Sequence, residues 1–233
     1  MIICAALYKI IKERNTVMAN VILIGATGFV GSAILDELVE RGHKVTAVVR
    51  HADKVAKSDN VTAVEQDVAD VDAMIKLFEG KDAIISAYNP GWMNPQISEL
   101  ININYPKILE EAKKSGVKRL LIVGGAGTLF VKPGLRVVDS GVIPAEIMGG
   151  VRPLGNFYLN TLKKEDSIDG LFFSPAGAFE EHGKKTGKFR LGKDDLVVDA
   201  EGKSHISVQD YAVAMVDELE KPQHHKERFT IGY

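Results

Sequence analysis

From Asn20 onward the chain repeats one pattern: a short aliphatic and β-branched run, a polar or glycine turn, then a longer amphipathic stretch. The apolar runs Val21–Ile24, Val45–Val49, Val61–Glu65, Ala83–Ala87, Arg119–Val123 and Gly170–Ser174 predict six strands. The stretches Phe29–Arg41, Val71–Phe78, Ile97–Ser115 and Leu154–Lys164 predict the helices between them. In the first helix Val30, Ile34, Leu38 and Val39 share one face, and Gly42 supplies the stop. Gly116 ends the third in the same way. Strands alternating with helices imply an α/β fold, doubly wound on a mainly parallel sheet covered on both faces. Beyond the sixth strand, Lys184–Asp199 alternates basic, glycine and apolar residues and predicts a hairpin. Ser207–Glu220 then reads as a helix and Arg228–Gly232 as a last strand.

The most informative stretch joins the first strand to the first helix, through Gly25, Ala26, Thr27, Gly28, Phe29, Val30 and Gly31. Strand, glycine turn and helix N-terminus together make a site for a nucleotide pyrophosphate. Gly25 lets the chain turn off the strand, where a Cβ would be strained. Gly28 lets the backbone approach the phosphates, and Gly31 lets the helix lie close to the sheet. The free N–H groups and positive dipole end of the helix then face the anion.

Two connections exceed ordinary length, Asn89–Gln96 and Gly124–Pro153. Both leave the C-terminal ends of strands, where ligands bind in open α/β sheets. They suit closure over a substrate, and they equally suit the buried face of a homodimer. The segment 1–17 reads as an extension of the domain spanning 18–233: Met1–Tyr8 is apolar and the charges follow it, the reverse of a secretory signal.

With 233 residues, 45% of them hydrophobic, the chain can bury a full core. A net charge of −2 gives no reason to expect nucleic acid as a partner. One cysteine, Cys4, rules out an intrachain disulfide framework and suits the cytoplasm. No apolar run reaches the roughly 18 residues of a membrane span. The histidines stand without carboxylates or cysteines at ligand spacing, so no metal site is expected.

The wording Gly-Ala-Thr-Gly-Phe-Val-Gly, spaced GxxGxxG, resembles the short-chain dehydrogenase/reductase superfamily. Ala47–Arg50, Gln66–Val68, Val123–Gly127 and His205–Ala212 narrow the resemblance to its atypical NAD(P)H-binding branch. That branch includes NAD-dependent epimerase/dehydratase-like and NADH-flavin-reductase-like proteins. The resemblance implies a Rossmann-type domain whose C-terminal pieces form a small cap on the substrate side. It also implies that Asp67 and Val68 contact adenine through a carboxylate and a backbone amide, though Asp67 equally suits capping of the next turn. Ser86, Ala87 and Tyr88 are expected beside the ribose and nicotinamide, with Gly124 and Gly125 at the end of the next strand. Tyr88 and Trp92 have faces that suit stacking on a planar ring, or on the loop itself. Asn104 matches a structural asparagine of the relatives.

Arg50 points to the cofactor. An NAD site puts Asp or Glu at the end of the second strand, whereas this chain puts a guanidinium there. Such a group pairs with a 2′-phosphate, so NADP(H) is expected, with NAD(H) as the alternative. The superfamily's proton-donating Tyr-xxx-Lys is absent. Tyr158 has Leu162 at i+4, and Lys163 at i+5 lies about 140° around the helix. Thr128 and Tyr158 remain the candidate catalytic residues. These observations favour an NAD(P)H-dependent oxidoreductase passing hydride to a flavin- or quinone-like small molecule, which needs positioning more than a tuned acid. An NADP(H)-binding redox sensor without turnover and a nucleotide-sugar epimerase/dehydratase are the alternatives.

Overall fold

The computed structural model describes residues 18–180 and 182–233; the extension read over 1–17 lies outside them. The elements run β1 (Asn20–Ile24), α1 (Phe29–Glu40), β2 (Lys44–Val49), β3 (Val61–Glu65), α2 (Val71–Phe78), β4 (Ala83–Ser86), α3 (Ile97–Ser115) and β5 (Arg119–Val123). They continue β6 (Phe130–Lys132), β7 (Leu135–Arg136), α4 (Ala145–Asn160), β8 (Asp169–Ser174), β9 (Ala178–Glu180), β10 (Arg190–Gly192), β11 (His205–Ser207), α5 (Val208–Glu220) and β12 (Arg228–Gly232).

Eight strands form one sheet in the order β10-β12-β8-β5-β4-β1-β2-β3. All its pairings are parallel except that of β10 with β12. This is a Rossmann-like α/β fold. The chain winds outward from β1 to β3, then restarts on the other side of β1 at β4. The reversal opens a crevice at the C-terminal ends of β1 and β4, where Ile24 is in register with Ser86.

Alternation along the strands sends neighbouring side chains to opposite faces. Leu23, Leu121, Leu171, Phe173 and Phe229 join Ile34, Leu38 and Tyr211 on the face covered by α1 and α5. Ile22, Ile84, Leu120, Ile122 and Phe172 join Met74, Phe78, Ile108 and Tyr158 on the other. On the first face Tyr211, Phe173, Phe229 and His224 stack in series, their ring centres 4.0–4.2 Å apart. Local signals set the helix ends: Asp70 Oδ1 accepts from Ala73 N–H, Ser207 Oγ accepts from Asp210 N–H, and Gly116 ends α3 at φ +79°.

Two expectations change. Helix α4 begins at Ala145 rather than near Leu154, so the second long connection is not a bare loop. Gly149, Gly150 and Pro153 hide this helix, since each is unfavourable in a helix interior. Tertiary packing overrides them, because a Cβ on Gly150 would stand 2.7 Å from the Trp92 ring. The hairpin read over 184–199 is also absent. Only β10 forms there, and its partner is the last strand, with Leu191 opposite Ile231. Two small satellites complete the structure, β6 with β7 and β9 with β11.

Candidate functional site

The crevice is shaped by backbone. Gly25 adopts φ +80°, donates its N–H to Val48 carbonyl at 2.9 Å, and leaves no room for a side chain. A Cβ there would stand 2.6 Å from Ala87 carbonyl oxygen. A Cβ on Gly31 would collide with the carbonyl of Gly25. Gly31 therefore lets α1 press onto the turn itself, a closer partner than the sheet that the glycine pattern suggests. Gly28 is different, because its missing side chain would meet only Gly25 oxygen, at 3.4 Å. Its outer face is open, and Thr27, Gly28 and Phe29 are exposed while Ala26 is buried beneath them. The first intrahelical bond runs from Ser32 N–H to Gly28 carbonyl, so the Phe29, Val30 and Gly31 N–H groups precede the helix's own acceptors. No side chain caps this terminus. Open backbone, unspent donors and the positive end of a helix dipole fit a nucleotide pyrophosphate.

Arg50, Asp67 and Tyr88 come together at the rim. Arg50 is exposed directly after β2, and no hydrogen bond or ion pair occupies its guanidinium among the described residues. Asp67 follows β3 and uses Oδ1 to accept from Ala69 N–H at 2.9 Å. It thus performs the turn-capping role, with its second oxygen still available. Val68 is buried below it in the core.

Tyr88 is half-buried after β4, and Asn104 Nδ2 donates to its hydroxyl at 2.6 Å. Its carbonyl accepts from the Tyr105 hydroxyl at 2.7 Å, and the two rings meet edge to face. Burial raises the Tyr88 pKa; the Asn104 bond lowers it, Asp67 raises it and Arg50 lowers it. Both charges therefore act at the Tyr88 hydroxyl. Asn104, on α3, thus ties the helix to the loop after β4, a structural role. Tyr105 has no motif that singles it out. Ser86 is fully buried at the β4 end, its hydroxyl without a partner among the described residues. Trp92 lies on Gly150 at the start of α4, and its ring is partly exposed.

The side after β5 is built from side chains. Gly124 donates to Phe173 carbonyl at 2.8 Å, and Gly125 carbonyl accepts from Ser174 Oγ at 3.0 Å. Thr128 and Tyr158, far apart in the chain, are joined by Arg228 of β12. Arg228 donates to Thr128 Oγ1 at 2.6 Å, pairs with Asp194, and lays its guanidinium 5.1 Å from the Tyr158 ring centre. Tyr158 stacks on Phe172 at 4.6 Å, and burial raises its pKa. Lys163 falls beyond the end of α4, in a separate turn. Among the described residues no lysine hydrogen-bonds to Tyr158, and Lys163 does not stand one helical turn from it as the dyad requires. Arg228 carries no sequence signal of its own, because its importance comes from three partners distant in sequence.

The satellite strands reach the glycine turn where Phe179 of β9 meets Phe29 edge to face at 5.6 Å. His205 of β11 faces Glu180 at 2.6 Å and Asp199 at 3.2 Å, which raises its pKa. Among the described residues no group of three or more His, Cys, Asp or Glu is placed to hold a metal, and no helix is long and apolar enough to cross a membrane.

The chain is similar to known proteins in sequence and fold. The Bacillus subtilis protein YwnB is 42% identical over 212 residues, covering 90% of this chain and 96% of its own. A Bacteroides thetaiotaomicron structure, provisionally named an epimerase, is 51% identical with a TM-score of 0.86, covering 93% of this chain and 98% of its own. A Streptococcus pneumoniae structure, provisionally named an NADH-flavin reductase, is 30% identical with a TM-score of 0.78, covering 92% and 99%. A family model described as NAD(P)H-binding matches residues 25–222, from the glycine turn to beyond the last helix. The chain therefore belongs to this NAD(P)H-binding family.

Proposed function

We propose that this protein is an NAD(P)H-dependent oxidoreductase that delivers hydride to a small planar acceptor, flavin- or quinone-like, with NADP(H) as the preferred donor. The observation that carries the proposal is the pairing of a complete backbone cradle with the absence of a Tyr–Lys proton relay. The similarity to the Streptococcus pneumoniae protein supports the choice of acceptor, and a cytoplasmic setting fits the single cysteine.

The nicotinamide cofactor, when bound, supplies the hydride. The Phe29, Val30 and Gly31 N–H groups would hold its pyrophosphate, and Arg50 the 2′-phosphate. Asp67 Oδ2 and the Val68 backbone would meet the adenine side. Tyr88, fixed by Asn104 and Tyr105, would set the position of the nicotinamide and acceptor rings. Thr128 and Tyr158 would hold the acceptor from the β5 side. A conjugated acceptor spreads the incoming charge over its ring and takes its proton from water, so the missing relay is no obstacle.

The Bacteroides thetaiotaomicron relative brings the epimerase reading. That chemistry needs a general acid and base at the sugar, and Tyr158, buried against Phe172 without a lysine, is poorly placed to serve. The test is NADPH oxidation by the purified protein with FMN, riboflavin or a naphthoquinone, against a protein-free control. Saturable, protein-dependent oxidation is expected. Tight NADPH binding with no oxidation by any of the three would replace the enzyme with the redox sensor.

A further inference from the structure

A second cavity, of about 80 Å³, lies between the β6–β7 hairpin and α4, lined by Thr128, Arg136, Asp139, Val151, Arg152 and Asn156 among others. Ligand pockets for whole cofactors or drug-sized molecules run to about 300 Å³ and more, so this one suits a terminal group. Its polar lining is rich in donors that the protein leaves unused. Arg136 has no carboxylate partner among the described residues, and its guanidinium is steadied over the Phe130 ring at 5.7 Å. Asn156 makes no side-chain hydrogen bond there. Thr128 Oγ1 accepts from Arg228, which leaves its own proton free to donate. Arg152 reaches Asp139 and the Val138 carbonyl only at 3.5 Å. The lining thus holds two guanidinium groups and one carboxylate, which lies near Arg152 alone, and it keeps a spare positive charge.

We propose that this cavity is an oxyanion subsite, taking a phosphate monoester or carboxylate, with Arg136 as its principal ligand and Arg152, Asn156 and Thr128 completing it. An arginine fork matches the paired oxygens of either group. Gly127 and Thr128, on the segment that leaves β5, line the cavity, and we assign its anion to the charged end of the acceptor; this assignment of source rests on the reductase reading, whereas the subsite does not.

The test uses the full chain saturated with NADP⁺, where no turnover is required. FMN and riboflavin are titrated by flavin fluorescence, and inorganic phosphate by calorimetry. FMN should bind about tenfold more tightly than riboflavin. Arg136→Met should erase that preference without changing riboflavin affinity, and Arg136→Lys should restore part of it. Phosphate should compete with FMN and not with riboflavin. Phosphate binding that Arg136→Met abolishes, with no preference for FMN, would keep the subsite and assign it to a free anion. No phosphate binding and equal affinity for the two flavins would overturn it. An FMN preference without NADPH oxidation would sink the reductase reading alone.

Discussion

The two sides of the crevice are made by different means. On the β1 side the shape comes from main chain: a positive-φ turn at Gly25, α1 pressed onto that turn at Gly31, and N–H groups left without acceptors. On the β5 side it comes from side chains, with buried Arg228 tying buried Thr128 and Tyr158 to the exposed carboxylate of Asp194. A main-chain site demands particular residues at fixed, short spacing, and it tolerates almost no substitution. A side-chain site draws on residues far apart in sequence and is free to change its ligand. On the proposed reading the first holds the invariant cofactor and the second the acceptor.

The comparison breaks most directly at Gly31. Gly31→Val puts branched carbon into the Gly25 carbonyl, and nicotinamide binding should fall by about a thousandfold, roughly 4 kcal/mol. Gly28→Ala, whose Cβ meets open space on one side, should fold normally and lose far less. A melting curve beside the binding titration separates loss of the site from loss of the fold.

Arg228→Met tests the other side. It removes the buried guanidinium that bonds Thr128, packs on the Tyr158 ring and meets exposed Asp194, and stability should drop by about 2–3 kcal/mol in urea unfolding. NADPH affinity should stay within roughly twofold, because the two sides share no hydrogen bond. A large loss of affinity would mean that the two halves are one coupled unit.

Glu111 sharpens the contrast from outside the site. It is fully buried on α3 with neither oxygen hydrogen-bonded among the described residues, and burial pushes its carboxyl up to about 7. Lys107 and Lys114 lower it, and Asp70 raises it. The folded form binds the proton more tightly, so this group's contribution is full below the ordinary pKa of 4.5 and is lost as pH rises through 7. Between pH 5 and 8 the wild type should lose about 2–3 kcal/mol from this source, and Glu111→Gln should flatten that slope in urea melts.

Arg50→Glu comes next in size. NADPH should bind at least tenfold more weakly, about 1.4 kcal/mol, while NADH is spared. Equal losses would show that Arg50 does not read the 2′-phosphate. The smallest effect belongs to His205, whose raised pKa comes first from Glu180, with Asp199 adding to it. The link is complete below pH 6.5 and fades as pH rises through the higher folded value, so His205→Asn should matter more at pH 6 than at pH 9 in amide exchange of β9 and β11.

The legibility of the sequence follows the same division. The glycine turn, the parallel strands and the caps at Gly116 and Ser207 depend on near neighbours, and the residue pattern displays them. Helix α4 was hidden because Gly149, Gly150 and Pro153 argue locally against a helix that Trp92 and the core impose from a distance. Strand β10 resembles half of a local hairpin in sequence because its partner, β12, lies at the far end of the chain. Arg228 and Tyr105 carry no motif, since their partners are set by folding. Asn104 could be singled out only through the resemblance, and its bond to Tyr88 required the fold.

The central claim is that the main-chain cradle after β1 holds the nucleotide independently of the Arg228 cluster. Titration of NADPH into the wild-type protein, followed by nicotinamide fluorescence, tests it most directly. The account predicts saturable binding that Gly31→Val abolishes and Arg228→Met preserves. Binding that survives Gly31→Val in a folded protein would contradict it.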